Sequence, residues 1–244
     1  MSSLFKKSAI VTGAAGGMGQ AVCKRLIDKG WNVVGLDHNK ARLDVLAREL
    51  ADKSFTPLNG ELSDPDLYAL LNLELGDNFQ INGLVNLAGV SVGGPLDSLT
   101  KGDWDKSFAV NVTAPMILSK WATPRMKKTG GSIVNVASPV ALVGAKKPSY
   151  SASKAALIGL TMSLARDLGK YSIRVNALFP GATITNMTLD WDDEKRKAIA
   201  NGNFLKRLCK PEEIAAVISF LLSEDASYVT GTTIDMTAGG MFGH

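Results

Sequence analysis

Seven short runs of the chain are rich in aliphatic residues, and most of them are apolar throughout. They are Ala9–Thr12, Trp31–Leu36, Lys53–Pro57, Gly83–Leu87, Ser132–Ala137, Arg174–Phe179 and Thr233–Met236. A strand with one wet face alternates apolar and polar residues, whereas a strand covered on both faces does not. The pattern therefore predicts a parallel sheet sandwiched between helices. The segments between the runs carry helical signals. Met18, Val22 and Leu26 recur every four residues, and Gly30 stands where a helix C-terminus needs it. Asp64-Pro65 reads as a cap followed by proline at the first helical position, ahead of Leu67, Leu70 and Leu71. Pro211, Glu212 and Glu213 open a helix whose apolar stripe is Ile214, Val217, Ile218, Leu221 and Leu222. Strand–helix alternation over all 244 residues, with no repeat and no linker, predicts one doubly wound α/β domain spanning residues 1–244.

Composition removes several function classes. Cys23 and Cys209 are the only cysteines and lie far apart, which excludes a disulfide scaffold and a cysteine-rich zinc site and fits a reducing compartment. Only two histidines, His38 and His244, are present, so no metal centre and no Ser-His-Asp triad is expected. Lysine and arginine number 27 against 23 acidic residues, a net charge of +4. The basic residues are scattered apart from Arg125, Lys127 and Lys128, which read as a solvated helix end, so no nucleic-acid partner is expected. The uncharged stretch 78–96 contains Asn78, Gln80, Asn82 and Asn86 and several glycines, unlike a membrane span. A cytoplasmic protein is expected.

Three local patterns carry chemistry. Thr12-Gly13-Ala14-Ala15-Gly16-Gly17-Met18-Gly19 joins the first strand to the first helix. Glycines there allow a tight turn and close backbone approach to a pyrophosphate, and the helix N-terminus adds partial positive charge. Eighteen residues beyond Gly19, the second strand ends in Asp37. A carboxylate there can accept both hydroxyls of an adenosine ribose and repels a 2′-phosphate, so NAD is favoured over NADP. The competing reading is that Asp37 caps the turn before His38 and Asn39. Tyr150 and Lys154, four apart, share one helix face. A free phenol titrates near pH 10, and a neighbouring ammonium favours the phenolate, which makes Tyr150 a usable acid/base. Ser138, ending the fifth run, stands at the carboxyl edge of the sheet, where its hydroxyl can hold a substrate oxygen.

Taken together, Thr12-Gly13-x-x-x-Gly17-x-Gly19, Asn86-Leu87-Ala88-Gly89, Asn111, Ser138, Tyr150-x-x-x-Lys154 and Pro180-Gly181 resemble the short-chain dehydrogenase/reductase family over nearly the whole chain. The resemblance implies a Rossmann-type domain with a seven-stranded parallel sheet, a nicotinamide cofactor and a homotetramer or homodimer. It also implies roles. Tyr150 is the acid/base, Ser138 polarises the substrate oxygen, and Lys154 lowers the tyrosine pKa and holds the ribose. Asn111 supports a water that relays protons to Lys154. Gly13, Gly17, Met18, Gly19 and Asp37 form the phosphate and ribose site, and Asn86, Ala88 and Gly89 line the adenosine side and stabilise the central strand. Glu61 and Leu62 contact the adenine, and Pro180, Gly181, Thr183 and Thr185 hold the carboxamide. Two departures stand out. Leu87 replaces an Asn that is common in the family, and the loop Ala145–Ser149 is one residue short, leaving twelve residues from Ser138 to Tyr150.

The reading is an NAD(H)-dependent oxidoreductase of a small-molecule secondary alcohol or ketone. The alternative enzyme is a 3-oxoacyl-[acyl-carrier-protein] reductase, with Arg125, Lys127, Lys128 and Lys170 on the helix ends that would dock an acidic carrier. A non-catalytic NAD-binding regulatory protein is the alternative of another class. Segments 90–96, 141–149 and 187–204 are expected to wall the substrate site, the last as a mobile lid. Lys146 and Lys147 are expected to favour an anionic substrate. Trp104, Phe108, Val112, Met116 and Trp121 read as core or subunit interface, and Cys209, beside Lys210, is a candidate reactive thiol.

Overall fold

The computed structural model describes residues 6–50, 54–185, 188 and 191–241. Seven strands form one parallel sheet: β1 (Ser8–Thr12), β2 (Asn32–Asp37), β3 (Phe55–Asn59), β4 (Gly83–Asn86), β5 (Gly131–Val136), β6 (Ile173–Pro180) and β7 (Thr233–Met236). Their order is β3-β2-β1-β4-β5-β6-β7. All seven anticipated runs are strands. The third lies two residues later at its C-terminal end than expected, and Lys53 falls outside the described residues. Its Pro57 lacks a donor, and β3 is an edge strand, where one flank needs no ladder bond.

The helices are α1 (Gly17–Asp28), α2 (Lys40–Glu49), α3 (Leu67–Leu75), α4 (Lys101–Phe108), α5 (Ala114–Met126), α6 (Val140–Val143), α7 (Pro148–Leu168), α8 (Asp193–Gly202) and α9 (Pro211–Leu222). α3 starts at Leu67, later than the Asp64-Pro65 signal suggested. Asp64 caps a preceding turn instead, accepting from the Asp66 amide at 2.8 Å. A π-helical turn, Ala109–Thr113, links α4 to α5 in one continuous rod.

Alternate residues of each strand feed two opposite cores. Ala9, Val11, Val33, Val85, Val134 and Val136 pack with Leu26, Leu43 and Ile218 from α1, α2 and α9. Ile10, Val34, Leu36, Leu84, Ile133 and Val175 pack with Leu71, Leu118 and Leu168 from α3, α5 and α7. Burial on both faces explains the uninterrupted apolar runs. Arg125 departs from the expected solvated helix end. It is 9% exposed, lies 3.9 Å from the Trp121 ring, and donates to Asn72 Oδ1 and Trp121 O. Trp121 is fully buried, whereas Trp104 stacks on Phe108 and stays partly exposed.

One polar ladder crosses the second core. Asn86 Nδ2 donates to Asn135 Oδ1 at 2.8 Å, Asn135 Nδ2 to Thr161 Oγ1 at 2.9 Å, and Thr161 Oγ1 to Leu157 O at 2.8 Å. All three side chains are nearly or fully buried. Asn135→Ala removes the middle rung and leaves both neighbours short of a partner in a dry layer. The expected cost is about 2–4 kcal/mol, from a small cavity plus unsatisfied polar groups. It is measured as a fall in the urea midpoint with an unchanged slope.

Candidate active site

The chain runs outward from β1 to β3, then returns and continues from β4 to β7 on the other side. The carboxyl ends of β1 and β4 therefore face a crevice at the switch point, where open α/β sheets take their ligands. Thr12 fastens its two lips: its hydroxyl accepts from the Leu87 and Ala88 amides at 3.0 and 3.1 Å. One cleft, of about 260 Å³, is lined by Gly13, Gly16, Gly17, Met18, Asp37, Arg42, Ala88, Gly89 and Thr185. A second, of about 200 Å³, is lined by residues including Asp37, His38, Glu61, Leu62, Ala88, Gly89, Val90 and Lys106. The two share Gly13, Asp37, Ala88 and Gly89.

The first helix opens on this crevice without a side-chain cap among the described residues. Its first amides are thus left for an anionic ligand. A side chain at Gly19 would collide with the Gly13 carbonyl, so the turn tolerates only glycine there. A Cβ on Gly89 would lie 3.1 Å from Lys154 Nζ and 3.2 Å from Asn111 Oδ1. The crevice is a cradle that side chains would fill, and its residues fit a dinucleotide.

Most of the anticipated binding residues meet here: Gly13, Gly17, Met18, Asp37, Glu61, Leu62, Ala88, Gly89 and Thr185. Asn86 turns into the core and bonds Asn135, so it serves the central strand, as part of its expected role, and lines neither cleft. Pro180, Gly181 and Thr183 form the stem of the loop, not its wall; Thr183 Oγ1 donates to Gly181 O at 2.8 Å. Asp37 caps the turn as one reading expects, and it stands in the cleft where the other reading would use it. It is 8% exposed and lines the cleft, and it accepts from the Ala15 amide at 3.0 Å and the Asn39 amide at 2.8 Å. A carboxylate has about four lone-pair sites, so acceptors remain for a ligand. Arg42, Lys106 and Val110 also line the clefts, and no motif in the sequence marks them. Lys40, just beyond Asp37, is tied to Asp44 at 2.8 Å. Arg42 reaches the cleft with no side-chain partner among the described residues.

β5 ends two residues before Ser138, and α7 presents Tyr150 and Lys154 one turn apart. The Ser138 hydroxyl beside the Tyr150 phenol favours its ionised form, but burial outweighs this and raises the phenol pKa above the ordinary tyrosine value. The expected depression by Lys154 is absent in the protein alone. The Lys154 ammonium lies 5.9 Å from the ring centroid and donates to Val136 O at 2.7 Å. Burial lowers Lys154 itself to about 8. Asn111 sits in the π turn, fully buried, with its amide committed: Oδ1 accepts from the Val90 amide, and Nδ2 donates to Val90 O and Ser153 Oγ. π turns recur at functional positions.

The substrate-side segments behave unequally. Lys147 Nζ donates to Ser91 O at 2.9 Å and so clasps the wall; Lys146 is exposed. Trp191 and the capped α8 lie within the anticipated lid, while Met187 falls outside the described residues. Cys209 is half-buried with its thiol pushed up, which argues against reactivity. Among the described residues no cluster of metal-ligating side chains occurs, and no helix is long and apolar enough to cross a membrane.

A family model described as Enoyl-(Acyl carrier protein) reductase matches residues 13–241. The chain is 34% identical to meso-2,3-butanediol dehydrogenase of Serratia marcescens over 96% of its length and 94% of that protein. It is also 34% identical to L-xylulose reductase of Caenorhabditis elegans, covering 96% and 95%. Among solved structures, 3-ketoacyl-(acyl-carrier-protein) reductase from Brucella melitensis, complexed with NADH, superposes with a TM-score of 0.90 at 29% identity, covering 98% of this chain and 100% of that one. With this crevice, this Ser–Tyr–Lys grouping and these relatives, the chain belongs to the short-chain dehydrogenase/reductase family, oxidoreductases that act on CH–OH groups with a nicotinamide cofactor.

Proposed function

We propose that this protein interconverts a small secondary alcohol and its ketone with NAD(H), using Tyr150 as the acid/base. The observation that carries the reading is the grouping beside the crevice of Ser138, Tyr150 and the buried Lys154, whose ammonium lies 5.9 Å from the Tyr150 ring centroid. When bound, the nicotinamide takes hydride from the alcohol carbon or gives it to the carbonyl carbon. Tyr150 gives its phenol proton to the carbonyl oxygen during reduction and takes the hydroxyl proton during oxidation. A raised phenol pKa keeps that proton in place until a substrate oxygen needs it. Ser138 holds the same oxygen and orients the carbon. Lys154 reaches the cofactor ribose past Gly89, which has no side chain to obstruct it. Because the Asn111 amide is already committed, its backbone carbonyl holds the relay water.

Asp37 supports NAD(H) over NADP(H), since a 2′-phosphate would meet a carboxylate where a ribose offers two donors. Arg42 in the same cleft tempers the preference. A homotetramer or homodimer is supported by the partly exposed Trp104, Met116 and Met162 on α4, α5 and α7. Two unpaired cysteines support a cytoplasmic site. The carrier-protein reductase reading is favoured by the exposed Lys127, Lys128 and Lys170, though the buried Arg125 drops out of that patch. Turnover of acyl thioesters in preference to free alcohols and ketones decides for it.

Tyr150→Phe removes one oxygen and keeps the ring. Turnover falls about 10²–10⁴-fold, the range for lost general acid–base catalysis, while NADH affinity by fluorescence titration stays within about twofold of wild type, because the cofactor's contacts remain. Asp37→Ser raises the ratio of kcat/KM for NADP(H) over NAD(H) by about tenfold or more, the equivalent of 1.4 kcal/mol or more. It also weakens NAD(H) binding, because the Ala15 amide loses its acceptor.

A further inference from the structure

Tyr150 occupies the first turn of α7, the least secure part of any helix. That turn begins at Pro148 and has no side-chain cap among the described residues. Its placement must come from outside the helix. Three consecutive carbonyls of the strip that follows β4 supply it. Val90 O accepts from Asn111 Nδ2 at 2.9 Å, Ser91 O from Lys147 Nζ at 2.9 Å, and Val92 O from Ser149 Oγ at 3.2 Å. One hydroxyl joins the Asn111 anchor to the tyrosine. Ser153, fully buried, accepts from Asn111 Nδ2 at 2.9 Å and donates to the Tyr150 carbonyl at 2.8 Å.

We infer that Ser153 is a positioning residue for Tyr150, tying the first turn of α7 to the π turn at Asn111 and so holding the phenol against Ser138. The inference rests on the reading of Tyr150 as the acid/base. Ser153 touches no reacting atom. Its loss frees the first turn and moves the phenol away from the Ser138 hydroxyl, the neighbour that favours its ionised form. Thr161, two turns beyond Lys154 on the same helix, is the internal comparison. It too is a buried hydroxyl that accepts an asparagine amide and donates to a helix carbonyl, but it bonds the sheet core far from the phenol.

The experiment compares Ser153→Ala, Ser153→Cys and Thr161→Val by thermal melting, NADH fluorescence titration and the pH dependence of kcat. In Ser153→Ala, kcat falls about tenfold, KM for the alcohol changes less than twofold, NADH still binds, and the limb assigned to the tyrosine moves to higher pH. Ser153→Cys, nearly the same volume with a weaker donor, moves in the same direction by less and serves if the alanine variant does not fold. Thr161→Val melts lower but keeps the wild-type pH profile. An unchanged pH profile in both Ser153 variants, or the same displacement in Thr161→Val, overturns the inference. Tyr150→Phe run alongside separates the two readings: wild-type turnover there overturns the acid/base assignment itself, whereas an inactive Tyr150→Phe beside an unaffected Ser153→Ala overturns only the positioning role.

Discussion

A parallel sheet covered on both faces leaves no water inside it, so every polar group in the layer must find a partner there or be carried to an edge. The rest of the molecule follows from that constraint. Inside, asparagines and threonines pair off, as in the Asn86–Asn135–Thr161 ladder. At the carboxyl edge the strands end in polar residues: Thr12, Asp37, Asn86 and, just past β5, Ser138. There the chain can satisfy them with loop amides and helix termini. The same unsatisfied capacity makes the edge a ligand site, because amides at the start of α1 and hydroxyls beyond β5 need partners that the sheet does not provide.

The electrostatics follow from the same dryness. Lys154 is almost wholly buried and accordingly depressed to about 8, while Tyr150 is raised. Desolvation pushes each toward its neutral form. Lysine keeps a hold through the Val136 carbonyl, and tyrosine through Ser138. The pair thus rests with the phenol protonated.

Asp37 shows why one side chain can answer two readings. Its carboxylate fastens the glycine loop through Ala15 and starts the next turn through Asn39. It also lines both clefts. The glycine loop and the carboxylate that ends β2 are therefore a single mechanical unit, so a change at Asp37 reaches both.

Much was legible in the sequence because it is local. Unbroken apolar runs, period-four patterns, the glycine loop and the Tyr150–Lys154 spacing operate within a few residues. They determined seven strands, the helices α1 and α9 and the place of the crevice. The third strand's boundary and the start of α3 slipped by two residues or so, because turn chemistry at Asp64 competes with helix capping. What only the tertiary structure decided lies between residues distant in the chain. Lys147 closes on Ser91, 56 residues away. Asn111 is committed to Val90, 21 residues away. Arg125 disappears beneath Trp121 and Asn72, although its neighbours Lys127 and Lys128 are solvated. A side chain's residue type states which bonds it can make, but the packing of helices on the sheet decides which partner comes within 3 Å. No pattern of nearby residues encodes that choice.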